Sequence, residues 1–238
     1  MEIPINHYKL EEYLGRNLNK KELYILHSYK IEQIMNNNIK KLHILCEKKN
    51  LYIPKLTNTN GNCLFESLNY HNIGYDTQTL RTKLSRLLYT FQDKKGLFPG
   101  RPNESLKEIF TPINSIDNVI CNNKLCKYTY NIMCKDLSNN NSWNNLEPNF
   151  ILLFVSFLYK VKIKIIWHDT EYETILNAYE NCSNMIDNMK TIYLGNITDH
   201  HYVPLDMITD INYQNNYLFY DNSKNIFIKW LNQIKKID

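Results

Sequence analysis

Apolar side chains between Lys20 and about Lys48 (Leu23, Tyr24, Ile31, Ile34, Met35, Leu42, Leu45, Cys46) return at spacings of one, three, four and seven, which predicts an amphipathic helix. The Asn36-Asn37-Asn38 run is expected to break it in two. "LYIPKLTNTNGN" then passes from an extended run to a polar loop, because Pro54 disfavours helix at Ile53 and the Asn and Gly residues accept turn geometry. A boundary near residue 50 follows. Leu64, Phe65 and Leu68 open a second helix, and Leu80, Leu84, Leu87, Leu88 and Phe91 mark a third. "GLFPGRPNES" is a surface loop, with Asn103 or Ser105 as the cap of a short helix after it.

The second half of the chain changes period. "SNNNSWNNLEPN" is a polar loop carrying Trp143, and the apolar run from Phe150 to Tyr159 reads as a buried helix. "VKIKIIW", Val161 to Trp167, alternates β-branched residues and predicts a strand, as do "KTIYLGN" and "HYVPL". Ile226, Phe227, Trp230, Leu231 and Ile234 form the stripe of a C-terminal helix starting near Ser223. A helix-rich first half and a strand-rich second half give an α+β fold, helices packed on a small mixed sheet. The expected organisation is a helical extension over 1–50, a central domain over 51–210, and a C-terminal segment over 211–238 whose helix packs on that domain.

At 238 residues and 43% apolar content the chain can bury a real core. Its 28 basic and 24 acidic residues leave a net charge of +4, spread without a block of like charges, so no nucleic-acid partner is expected. No secretory signal pattern opens the sequence, and the Phe150–Tyr159 run is too short to span a bilayer, so a reducing compartment and no membrane association are expected. Six cysteines include no C-x-x-C pair, and Cys121, Cys126 and Cys134 lack a histidine at zinc-type spacing; they read as reduced thiols, with no metal. Asparagine is about one residue in seven, a bias that points to AT-rich coding DNA.

Chemistry concentrates at Cys63, which sits at the mouth of the second helix. Unpaired amides and the positive end of a helix dipole lower a thiol pKa, and a Gly61-Asn62-Cys63 turn can aim successive N–H groups at one point. A lone cysteine is also among the residue types most often simply buried. Seven histidines are candidate bases. His201 opens a strand, so its ring can project toward a helix terminus, and an early Cys paired with a late His is a known arrangement.

"NGNCLFESL" resembles the D-G-N-C-L-F-x-[SA] block of the OTU (ovarian tumour) cysteine protease family, and "HHYVPL" resembles its late block, where the catalytic His precedes an aromatic. Between them, "YTYNIMCKDLSNNNSW", the helix from Phe150 and "VKIKIIW" are similar to the family's middle, so the resemblance spans roughly Leu51 to Leu205. It implies an OTU-type fold, its small mixed sheet between helices, and a cofactor-free thiol isopeptidase. Such a deubiquitinase cuts after the C-terminal glycine of ubiquitin or a ubiquitin-like protein. Carried over, Cys63 is the nucleophile, His201 the general base and acid, and the Gly61–Cys63 amides receive the oxyanion.

The third member departs from the family's pattern: Asn60 stands where an acidic residue often sits, and Val203 occupies the other usual site. Asn60 is expected to accept from the imidazole Nδ1–H, with Asp199 the rival orienter. Trp143 is expected to pack its loop on the core, and His200 to be an exposed neighbour. The implied partners are ubiquitin, its chains and ubiquitinated proteins, met by a monomer in a eukaryotic cytoplasm. The composition and the stand-alone domain are reminiscent of large DNA viruses with AT-rich genomes, which would make that a host cytoplasm. A cysteine protease of other specificity and a catalytically silent ubiquitin-binding module stay open as alternatives, the second raised by Asn60 and Val203.

Overall fold

The computed structural model describes residues 11, 16–98, 101–110, 118–121, 124–140, 146–179, 189–198 and 201–209. The C-terminal helix expected from Ser223, the loop with Trp143, and the pair Asp199 and His200 lie outside them. The chain divides into two compact units, residues 1–41 with 209–238, and residues 42–208.

Helix α1 (Lys20–Lys48) is continuous, so the asparagine run does not break it. Three asparagines cost only a few tenths of a kcal/mol each against better helix formers, too little to interrupt a long helix (order of magnitude). Its start is fixed chemically: the Asn19 side chain accepts from the backbone N–H groups of Lys21 and Glu22 (both 3.0 Å). Glu22 returns the favour by accepting from Asn19 N (2.7 Å) and is paired with Arg16 (2.9 Å).

In the second unit the order is β1 (Leu51–Tyr52), α2 (Cys63–Tyr70), α3 (Thr77–Thr90), α4 (Leu106–Ile109), β2 (Asn118–Cys121), β3 (Lys124–Lys127), α5 (Tyr130–Ser138), α6 (Pro148–Tyr159), β4 (Val161–Trp167), β5 (Glu173–Leu176), β6 (Lys190–Thr198) and β7 (His201–Met207). Ser105 does cap α4, through a full capping box with Glu108. β2 and β3 form a separate antiparallel hairpin that the sequence reading did not anticipate, and β5 was not anticipated either. The other five strands make one sheet in the order β1-β7-β6-β4-β5, mixed because β4 and β6 run parallel while the remaining pairs are antiparallel. The fold is α+β.

Strand alternation sorts the sheet's two faces. Ile163, Ile165, Ile192, Leu194 and Tyr202 share one core with Cys63, Leu64, Phe65 and Leu68 of α2 and with the apolar faces of α3, α5 and α6. Gly195, Val203 and Leu205 point the other way. There the space beside Gly195 is so filled that an added Cβ would lie 2.6 Å from Leu42 Cδ2 and 2.9 Å from Val203 Cγ2. β1 pairs with β7 only at Asp206 and Met207, so among the described residues no strand pairs with the outer side of β7 at its His201 end. The loop from Ile53 to Asn62 runs there and delivers α2.

Candidate active site

The loop's return toward β7 follows from its residues. Gly61 holds φ +84°, a left-handed conformation that costs a glycine nothing, and α2 begins two residues later. Glu66, one turn into α2, clamps the loop from the helix side, its carboxylate accepting from Asn58 N (2.9 Å) and Asn58 Nδ2 (3.1 Å). The turn is held from beneath by Arg81 of α3, which is 0% exposed. Its guanidinium donates to Gly61 O (3.2 Å), to Asn62 Oδ1 (3.2 Å) and to Asp136 O (3.4 Å), and lies 4.5 Å from the centre of the Phe65 ring. Burial pulls the Arg81 pKa down to about 10, which still leaves a cation at neutral pH.

One residue of β7 then joins the loop to the strand. The Cys63 thiol meets the backbone N–H of Tyr202, and the Thr57 hydroxyl donates to the Tyr202 carbonyl. In a strand the N–H and C=O of one residue point to the same side, so the Tyr202 peptide groups face away from β6 and are both taken up by this loop. The same Thr57 Oγ1 lies 3.4 Å from His201 Nε2. Cys63, Thr57 and His201 are all buried, at 2%, 8% and 6% exposure. The structure therefore gathers Cys63 and His201 at one end of β7.

The electrostatics set the resting protonation. Burial pushes the Cys63 thiol up, against the opposing pull of the backbone amides of Tyr202, Leu64 and Cys63 itself; the Glu66 carboxylate adds to the upward push. Burial pushes His201 down, while Glu66 favours its charged form. Both shifts favour the uncharged forms, thiol and imidazole. Glu66 is thus the acidic group that both feel, a role the sequence reading did not give it.

Asn60 is exposed and occupied locally: its side-chain oxygen accepts from Asn62 N (3.2 Å), closing a turn within the loop. Among the described residues no hydrogen bond joins Asn60 to His201, and the imidazole nitrogen that is anchored is Nε2, not the expected Nδ1. The Asn62 N–H, one of the amides expected to receive an oxyanion, is held by Asn60 in this structure. Asn62 also ties the turn to α5's end, donating to Asn140 Oδ1 (2.7 Å).

Thr57 and Arg81, like Glu66, are residues the sequence reading missed. Arg81 left a signal, a lone cation between Leu80 and Leu84 on an apolar helix face, where a charge needs a buried partner. Thr57 left none, since its place depends on how the loop returns to β7. Among the described residues no cluster of His, Cys, Asp or Glu could hold a metal ion, and no helix is long and apolar enough to cross a membrane.

No family model and no curated protein matches the chain. Among solved structures it is similar to the OTU domain of OTUD1, with a TM-score of 0.48 and 14% identity over 73% of this chain and 97% of that one. It is also similar to an OTU deubiquitinase from Wolbachia pipientis wMel bound to ubiquitin, with a TM-score of 0.42 and 18% identity over 67% and 97% of the two chains. A second structure of an OTU deubiquitinase from Wolbachia pipientis wMel gives a TM-score of 0.43 and 16% identity over 69% and 95%. These likenesses lend no support to a viral source.

Proposed function

We propose that this chain is a thiol isopeptidase of the OTU type, a deubiquitinase that hydrolyses the amide after the C-terminal glycine of ubiquitin or a ubiquitin-like protein. The observation that carries the reading is the Tyr202 peptide, whose N–H meets the Cys63 thiol while its carbonyl holds Thr57 against His201. Two sequence blocks far apart in the chain, each resembling a catalytic block of that family, meet at one residue.

In this mechanism His201 takes the Cys63 proton as sulfur attacks the carbonyl carbon. The resulting oxyanion is received by amides at the start of α2, where Gly61 and Arg81 hold the backbone in place. The imidazolium returns its proton to the leaving lysine amine as the C–N bond breaks. His201 then removes a proton from water, which attacks the thioester and releases the carboxylate and the thiol. Asn60 serves the turn, and its release of the Asn62 N–H would complete the oxyanion site when substrate enters. Shifts toward an uncharged pair and an engaged amide are what an enzyme that assembles its site on binding would show before substrate arrives. They also favour the second reading, a silent ubiquitin-binding module. The partners are ubiquitin, its chains and their conjugates, met by a monomer in the cytoplasm, with no nucleic acid, membrane or cofactor involved.

Ubiquitin carrying a C-terminal electrophile tests the reading. Wild type should be labelled at Cys63 and should cleave members of a panel of linkage-defined chains, and Cys63→Ala should do neither. If iodoacetamide modifies Cys63 while the ubiquitin probe does not, the deubiquitinase reading is wrong. Chain binding without cleavage would establish the silent module.

A further inference from the structure

We propose that Thr57 is the third member of this site, a positioning residue whose hydroxyl fixes both the aim and the tautomer of His201; this rests on the reading of Cys63 and His201 as the catalytic pair. A hydroxyl carries one proton, and Thr57 gives it to the Tyr202 carbonyl. Toward His201 Nε2, 3.4 Å away, Thr57 Oγ1 can then act only as an acceptor. The nitrogen facing it must be the protonated one. A neutral imidazole has one N–H and one bare nitrogen, so the hydroxyl leaves Nδ1 as the proton-accepting position. Nδ1 makes no hydrogen bond among the described residues and is the atom left to take the thiol proton.

Of the other candidates for this duty, Asp199 lies outside the described residues. Val203 shares the imidazole's side of β7 but has no polar atom. Asn60 is bonded within its own turn. Thr57 is buried, and its one proton is held by a backbone carbonyl of the very strand that carries His201, so hydroxyl and ring are fixed in one frame. The contact is long, in keeping with catalytic hydrogen bonds that tighten only when substrate orders the site. Thr57 brings no charge; the charge that favours an imidazolium comes from Glu66.

The experiment compares full-length wild type, Thr57→Val, which keeps the shape without the hydroxyl, and Thr57→Ser, which keeps the hydroxyl. Two readouts are independent of any ubiquitin substrate: the pH dependence of Cys63 alkylation by iodoacetamide, and the 15N shifts of the His201 ring, which report its tautomer. In wild type His201 should be the Nε2–H form. Thr57→Val should lose that fixed tautomer and slow alkylation near neutral pH by about tenfold or more, the size expected when a general base loses its aim. Thr57→Ser should stay within about threefold of wild type, since the hydrogen bond survives. An Nδ1–H form in wild type would overturn the assignment whatever the variants do. Equal loss in Thr57→Val and Thr57→Ser would also overturn it, by assigning the effect to packing of the methyl group. A wild type that ignores the ubiquitin probe yet shows this Thr57-dependent profile would refute the deubiquitinase reading and sustain the role of Thr57.

Discussion

Arg81 buries a full charge under the turn that presents the thiol, and its three backbone and side-chain acceptors come from Gly61, Asn62 and Asp136. Replacing it with Met keeps the volume over Phe65 but leaves these acceptors without their donor. Each buried acceptor so stranded costs free energy. Arg81→Met should therefore lower stability by roughly 1–3 kcal/mol in urea unfolding. It should also slow labelling by the ubiquitin probe, because the Gly61 peptide loses its anchor. Unchanged labelling would show that the turn keeps its shape without the guanidinium. At this scale the helix start at Cys63 and the strand start at His201 were legible because each belongs to a short block with a local pattern: a glycine turn into a helix, and a histidine opening a strand. The approach of Thr57 to His201 was not legible. It depends on one hydroxyl meeting one ring across a strand edge, and Asn60, the polar residue nearest in sequence, turns out to satisfy its own loop.

Among the elements, β6 lies between β4 and β7, and at Gly195 it packs against Leu42 of α1. A methyl group there would have to displace both Leu42 and Val203, the residue two after His201. Gly195→Ala should cost roughly 1–3 kcal/mol by overpacking, read as a lower midpoint in denaturant. The larger relief should come from pairing it with Leu42→Ala, since the shorter side chain vacates the 2.6 Å contact. A Gly195→Ala protein of wild-type stability would mean that Leu42 moves aside freely. The strands β4, β6 and β7 could be read because their β-branched alternation is long enough to be a pattern. β1 and β5 have two and four residues, too few to alternate, and the β2–β3 hairpin lies in a stretch whose cysteines and asparagines suggest other readings. In α1 three adjacent asparagines suggest a break, but helix formation is cooperative and the favourable neighbours on both sides carry the helix through them.

For the whole molecule, buried titratable groups define a pH window. His71 and His201 are both pushed down by burial, so the folded state refuses protons that the unfolded chain accepts below about pH 6.5. Their contribution is present above that value and is lost as pH falls toward the folded pKa values. Cys63, Cys46 (pushed up to about 12) and Cys134 (to about 11) act with the opposite sign. Their share is complete below the unfolded thiol value of about 8.5 and is lost as pH rises through the folded ones. Urea midpoints should therefore be highest near pH 7 to 8 and fall on both sides, and a midpoint that rises from pH 7 to pH 5.5 would contradict this. The α+β class was legible because it follows from the order of helical and alternating stretches along the chain. How the sheet is ordered was not, since strand order is a matter of long-range pairing.

β7 carries one more consequence. Its outward-facing positions are Tyr202, already bound to the loop, Pro204, which has no N–H, and Asp206, paired with β1. Along that border there is no amide left to lend. An extended peptide tail arriving beside the histidine would find nothing on this strand to zip onto, so the guest's main chain must be gripped by other segments. The same blankness keeps a second copy of the protein from adding a strand along this border.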